Sequence, residues 1–229
     1  MEPNNPKHVA IILDGNRRFA KRLMLQPWKG HEFGARKVED LIDHAKGFGV
    51  DELTFYALSC ENINTRPKNE LFFLYNLMRK EFKNLNWEKI KKNKVKMRFI
   101  GQLNLLPIDL RKLCKEIEQQ TKNNNNFIVN FAIAYGGRQE IIEAVKKIIK
   151  NKIPPEDINE NIIEKNLYLD SDPDLIIRTG GEKRTSNFLP WQSTYSELIF
   201  SEKMWPEFSL QDFSSCLDEF KSRKRRFGG

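Results

Sequence analysis

Cysteine is scarce in this chain. Cys60, Cys114 and Cys216 are odd in number, far apart, and include no C-x-x-C pair. That excludes a disulfide framework and a cysteine-rich zinc site, and implies reduced thiols in a cytosol-like compartment. Long apolar runs are also missing. Stretches such as Val9 to Leu13 are far too short to span a bilayer. Met1 to Lys7 carries no apolar signal region, so a cytoplasmic protein, able at most to rest on a membrane surface, is expected. There is no internal repeat, and no linker long enough to divide the chain, so residues 1–229 are expected to form one catalytic domain. Asp170-Ser171-Asp172-Pro173-Asp174 has the acidic spacing of a calcium loop, but Leu175 stands where that loop needs glycine.

What is present is a chain able to build a core. It is 39% hydrophobic with sixteen Phe, which excludes a disordered chain. The net charge of +8 favours an anionic partner: nucleic acid, membrane surface or phosphorylated substrate. No nucleic-acid-binding motif accompanies it, so no nucleic-acid partner is expected.

Hydrophobic patterning predicts six short strands, at Val9–Leu13, Leu53–Leu58, Lys96–Ile100, Phe127–Ala134, Leu175–Arg178 and Glu197–Phe200. Between them the periodicity predicts helices over Glu32–Phe48, Lys68 to about Lys92, Pro107–Lys122, Arg138–Lys152 and near Ile158–Tyr168, with Leu210–Arg225 closing the chain. This alternation indicates an α/β fold with a central six-stranded, mainly parallel sheet flanked by helices. Such sheets bind ligands outside the carboxyl ends of their strands.

The residues after the strands are informative. The first is followed by Asp14-Gly15-Asn16-Arg17-Arg18. Glycine permits close backbone approach to a ligand, a helix N-terminus favours an anion, and paired guanidiniums bind phosphate oxygens. A carboxylate beside a phosphate calls for a bridging cation, and Mg2+ suits one carboxylate plus substrate phosphates. An Asp-Gly turn with an ordinary cap is the bland alternative. The second strand leads to Ser59, Glu61, Asn62 and Arg66. The fourth leads to Tyr135-Gly136-Gly137-Arg138, and the fifth to Arg178-Thr179-Gly180-Gly181-Glu182, with Arg184 and Ser186 beyond. One anion site at a single sheet edge accounts for all four.

Lys68 to Lys92 begins with Leu71-Phe72-Phe73-Leu74-Tyr75. Leu71, Tyr75, Met78 and Phe82 share one helical face, while Phe73 and Leu77 lie almost opposite. A helix apolar on two sides is deeply buried, part of a subunit contact, or the wall of a tunnel between helices and sheet. Gly34, Ala35, Val38 and Ala45 supply small residues for a facing wall.

Taken in order, Asp14 through Arg18, Gly30-His31, Ser59-Cys60-Glu61-Asn62, Tyr135 through Arg138, Arg178 through Glu182, and Trp191 through Glu197 resemble the cis-prenyltransferases, the undecaprenyl diphosphate synthase-like family, in its archaeal and eukaryotic variant. The resemblance runs from His8 to the terminal Arg226-Phe227-Gly228-Gly229. It implies a homodimeric transferase that condenses an allylic prenyl diphosphate with isopentenyl diphosphate and releases diphosphate. It also implies a Mg2+ cofactor held by Asp14, with Glu197 as a second metal-associated carboxylate. Gly15, Asn16, Arg17, Arg18 and His31 would bind the donor diphosphate, and Arg178, Arg184 and Ser186 the acceptor. Asn62 and Ser59 would lie near the carbon that loses a proton, Arg66 would contact substrate, and Arg226 and Gly228 would complete the neighbouring subunit's site. Three positions depart from the family pattern: Pro27, Ile63 and Lys183. They leave open the donor length, the product length and the acceptor. An atypical acceptor, or an activating subunit without turnover, is the alternative.

Overall fold

The structure, a computed structural model, describes residues 5–223. Arg226 and Gly228 lie outside the described residues. Six strands form one sheet: β1 (His8–Ile12), β2 (Glu52–Ser59), β3 (Val95–Ile100), β4 (Phe127–Tyr135), β5 (Leu175–Arg178) and β6 (Glu197–Phe200), in the spatial order β3-β4-β2-β1-β5-β6. All five pairings are parallel, where the sequence predicted a mainly parallel sheet. The cause is that every strand is followed by a crossover, and a hairpin turn is never used.

The helices are α1 (Asn16–Arg22), α2 (Gly30–His44), α3 (Cys60–Thr65), α4 (Lys68–Lys83), α5 (Trp87–Lys92), α6 (Ile108–Thr121), α7 (Gly137–Lys150), α8 (Glu160–Glu164) and α9 (Leu210–Ser222). Strand residues alternate between the two sheet faces. Val9 and Ile11 of β1 join the larger core with Leu41 of α2, Leu74 of α4, Leu110 of α6 and Phe213 of α9. Ala10 and Ile12 join a smaller one with Tyr56, Leu169, Phe188 and Leu189. Across the larger core face, Phe55, Phe131 and Phe99 stack from strand to strand at 5.9 and 5.6 Å.

Three helix expectations change. The predicted Lys68–Lys92 helix is two helices, because Asn84 closes α4 and Asn86 opens α5 by accepting a hydrogen bond from the Lys89 N–H at 3.0 Å. The expected Ile158–Tyr168 helix shrinks to α8, opened by Asn159. The Glu32–Phe48 helix starts earlier, at Gly30, and tightens to a 3-10 turn over Ala45–Phe48. Both α1 and α3 are too short to show periodicity. Among the described residues no helix is long and apolar enough to cross a membrane.

Candidate active site at the carboxyl edge of the sheet

Asp14 follows β1 by two residues and sits where the chain turns into α1. Gly15 makes the turn with φ of 104°, a left-handed conformation that side chains resist. The turn is anchored from far along the chain. The Asp14 carbonyl accepts the Trp205 N–H at 2.9 Å and the Thr179 hydroxyl at 2.8 Å. Its carboxylate therefore projects from a fixed backbone, with its side chain 30% exposed.

Two guanidiniums meet that carboxylate. Arg178 ends β5, next to β1, and donates from Nη2 to Asp14 Oδ2 at 2.8 Å. Arg18, one turn into α1, approaches Oδ1 at 3.3 Å. Arg178 is 4% exposed and also donates from Nη1 to the Arg184 carbonyl at 2.6 Å and to Ser186 Oγ at 2.8 Å. Its buried Nε has no hydrogen-bond partner.

A second basic group surrounds a carboxylate that no sequence motif marks. Glu70, in the first turn of α4, is 2% exposed and accepts from Arg66 Nη1 at 2.9 Å, with Arg17 Nε at 3.6 Å. Arg66 Nη1 also lies 3.3 Å from His31 Nε2. A guanidinium only donates, so Nε2 accepts and the imidazole proton sits on Nδ1. Burial, then Arg66 and Arg17, push the His31 pKa down to about 3. His31 is neutral at neutral pH.

Ser59 opens α3: its Oγ accepts the Asn62 N–H at 3.1 Å. The β2–β4 register shifts at Tyr56, Leu58 and Ser59, an irregularity that re-aims the end of β2 beside the site. Tyr56 stacks on Phe188 at 4.6 Å and donates to the Ser186 carbonyl at 3.3 Å, bracing the segment that carries Ser186. Neither Tyr56 nor Glu70 gave a signal in the sequence: Tyr56 lies inside an apolar strand, and Glu70 follows the polar run Arg66-Pro67-Lys68-Asn69 like an ordinary first-turn helix acid.

Behind these groups lies a cavity of about 840 Å³. Asp14, Asn16, Arg17, His31, Asn62 and Arg178 stand at its polar end, together with Ser59, Arg66 and Ser186. From α4 it is lined by Leu74, Leu77, Met78, Glu81 and Phe82, a single stripe at helical spacing. Gly34, Ala35 and Val38 face them from α2. The expected pattern is corrected in three places. Leu71 and Tyr75 do not line the cavity, Ala45 is in the core, and Phe73 lies under the Lys29 ammonium at 5.3 Å.

Three further site expectations change. Glu197 opens β6 in register with Leu175 and Val9, so within this chain it lies at the opposite sheet edge from Asp14. There it accepts from Arg223 Nη1 at 2.7 Å. Arg184 contributes its carbonyl to Arg178, but its guanidinium pairs with Glu182 at 2.5 Å and does not line the cavity. No residue of the Tyr135–Arg138 stretch lines the cavity, and the stretch braces neighbouring segments. The Tyr135 hydroxyl donates to Glu140, and a Cβ on Gly137 would collide with Pro190 Cδ at 1.9 Å.

Comparison with known proteins agrees with this geometry. Residues 12–228 match the family model described as "Putative undecaprenyl diphosphate synthase". The chain is 48% identical over 230 residues to the tritrans,polycis-undecaprenyl-diphosphate synthase (geranylgeranyl-diphosphate specific) of Methanopyrus kandleri, covering 97% of this chain and 84% of that one. It is also 48% identical to the synthase of the same name from Methanocaldococcus jannaschii, covering 98% and 83%. Among solved structures, lavandulyl diphosphate synthase from Lavandula x intermedia, in complex with dimethylallyl diphosphate, superposes with a TM-score of 0.92 at 33% identity, covering 98% of this chain and 99% of that one. A crystal structure described as "a probable undecaprenyl diphosphate synthase" from Campylobacter jejuni gives 0.83 at 35% identity, covering 99% and 100%. A basic, carboxylate-bearing mouth over an apolar cavity, on a sheet shared with these enzymes, places the chain in the undecaprenyl diphosphate synthase family of cis-prenyltransferases, which join an allylic diphosphate to isopentenyl diphosphate.

Proposed function

We propose that the chain elongates an allylic diphosphate of geranylgeranyl length with isopentenyl diphosphate, forming cis double bonds, and that the cavity behind Asp14 holds the growing chain. The observation that carries this reading is Asp14 between Arg18 and Arg178 at the mouth of an apolar cavity. The donor specificity rests on the names of the archaeal relatives.

Asp14, Gly15, Asn16, Arg17 and Arg18 would hold the donor diphosphate, with neutral His31 accepting from Arg66 and keeping that guanidinium oriented. Arg178 and Ser186 would hold the acceptor diphosphate, Arg178 through a fork already aimed by three acceptors. Ser59 and Asn62 line the same cavity and would face the acceptor carbon that loses its proton. The cavity excludes water from the allylic carbon, which protects a reactive cationic centre from hydrolysis.

Asp14 fits Mg2+ when substrate is present. It offers one partly exposed carboxylate, and its neighbours are phosphate-binding guanidiniums. Among the described residues there is no cluster of three His, Cys, Asp or Glu side chains to hold a metal alone, so substrate oxygens would complete the coordination. Bound there, the ion would neutralise the departing diphosphate. Glu197 in this chain is not part of that set.

A homodimer and a peripheral contact with membrane are part of the same reading. Ile142, Val145 and Ile149 form an exposed apolar stripe on α7, which supports a contact between two copies. Lys83, Lys91, Lys92 and Lys94 are exposed near the far end of the cavity, which supports contact with anionic lipid.

The test is to incubate the purified chain with allylic diphosphates of graded length, labelled isopentenyl diphosphate and Mg2+, and to weigh the products. A ladder in five-carbon steps, strongest with the geranylgeranyl donor, is expected. No five-carbon addition to any donor would refute the reading.

A further inference from the structure

The cavity does not end in an apolar floor. Its lining continues past Leu77 and Leu85 to Glu39, Asn84, Asn86, Lys89 and Asn93, all five of them exposed. Residues that both line a cavity and meet solvent mark an opening, and these lie at the end remote from Asp14. Across them runs one ion pair. Lys89 Nζ of α5 contacts Asp43 Oδ2 in the last turn of α2, with side chains 45% and 23% exposed. Both residues line the cavity. The break at Asn84–Asn86 makes this bridge possible, because α5 leaves the line of α4 and carries Lys89 towards α2.

We propose that the cavity has a second mouth at this far end, that the Asp43–Lys89 pair is the latch across it, and that the latch sets how long an apolar chain the cavity takes. The proposal rests on the cavity being the prenyl-chain site. An apolar chain gains affinity for each carbon it buries against Val38, Ile42, Leu77 and Phe82. At ordinary apolar burial the gain is about fourfold per methylene. On reaching the latch it meets Glu39, Asp43, Glu81 and Lys89. Further growth must either part the pair and cover its charges or stop. At this end product length is thus limited by a polar bridge that can open, in addition to the room that the apolar wall leaves.

The experiment is calorimetric binding of saturated alkyl diphosphates of increasing length, without turnover. In the unaltered protein the affinity should rise per carbon and then level off at one length. In the Asp43→Ala/Lys89→Ala double variant the levelling should move to a chain at least five carbons longer. The charge-swapped Asp43→Lys/Lys89→Asp variant should return it. Levelling at the same length in all three would overturn the proposal, as would a swapped variant that behaves like the double one. Lys89→Gln, which keeps a polar chain on α5, should shift the length in the same direction and serves if the double variant does not fold. Product ladders provide a second reading, lengthened by at least one five-carbon unit in the double variant. If the unaltered chain binds alkyl diphosphates but makes no prenyl product, the proposed activity fails, while the latch still stands or falls by the binding lengths.

Discussion

Arg178 Nη2 lies 2.8 Å from Asp14 Oδ2, joining the ends of two adjacent parallel strands across the mouth of the cavity. The pair sets the site's starting state. A buried guanidinium is held by a partly exposed carboxylate, and under the proposed reaction diphosphate and metal would each relieve one partner.

Arg178→Met should lose on both counts. It strips Asp14 of its less exposed partner and leaves the Arg184 carbonyl and Ser186 Oγ without their donor. The stability loss is expected at about 2 kcal/mol, below the full cost of breaking a buried pair because Asp14 is partly exposed. The KM for isopentenyl diphosphate should rise more than that for the allylic donor, with Arg178→Lys intermediate. Equal rises in both KM values would contradict the assignment of Arg178 to the acceptor.

Asp14→Asn keeps the shape of the turn, since its carbonyl contacts to Trp205 and Thr179 are untouched. The melting temperature should fall modestly, because the buried Arg178 loses its charge partner while an amide oxygen can still accept from it. Turnover should fall by about 10²–10³-fold, the usual cost of removing one preorganised charge from the reacting centre, and a Mg2+ titration should shift to higher concentration. Full turnover at ordinary Mg2+ would exclude Asp14 as the carboxylate that holds the ion.

His31 gives a pH signature. Its folded pKa, about 3, lies below the ordinary histidine value of about 6.5. Between those values the unfolded chain binds a proton that the folded chain does not, so stability falls as pH drops through this window and levels off below it. His31→Gln should lessen that acid loss, measured by urea melts between pH 4 and 7 on the order of one unit apart. Identical acid profiles for the variant and the parent would remove His31 from this role.

The wall of the cavity separates two residues that look equivalent in sequence. Leu77→Ala should lengthen the product ladder and Ala35→Phe should shorten it, since both positions line the cavity. Phe73→Ala should leave the ladder unchanged, because that ring packs beneath Lys29 outside it. A longer ladder from the Phe73 variant would mean that α4 sits in a different rotation.

Glu70→Gln should raise the KM for the allylic donor several-fold. Arg66 and Arg17 would lose their common anion, and roughly 1–3 kcal/mol of stability should go with it, as for a buried group that loses a charged partner. An unchanged donor KM with lowered stability would assign Glu70 to structure alone.

All six strands were legible in the sequence, because buried parallel strands are short apolar runs bounded by Gly, Asp and Asn. The residues that follow them were legible for the same reason: a polar cluster after an apolar run is conspicuous. Helix ends were harder. The break between α4 and α5 rests on Asn84 and Asn86, whose side chains compete with the helix for backbone groups, and the apolar pattern continues straight through them. Glu197 entered as a metal-associated carboxylate through the family resemblance alone; the strand Glu197–Phe200 already sets it at the amino end of β6, away from Asp14 within one chain. Glu70 stayed hidden because burial between Arg17 of α1 and Arg66 just after α3 is a property of packing.

The Asp14 turn carries a consequence for how the molecule comes into being. Its carbonyl is clasped by Thr179 and Trp205, more than a hundred and fifty positions downstream. During synthesis the first strand and its loop therefore emerge long before the segments that hold them. A fragment ending near residue 170 would own four of the six strands yet could not fix the reacting carboxylate. Competence arrives late and all at once, when the fifth strand slots in beside the first.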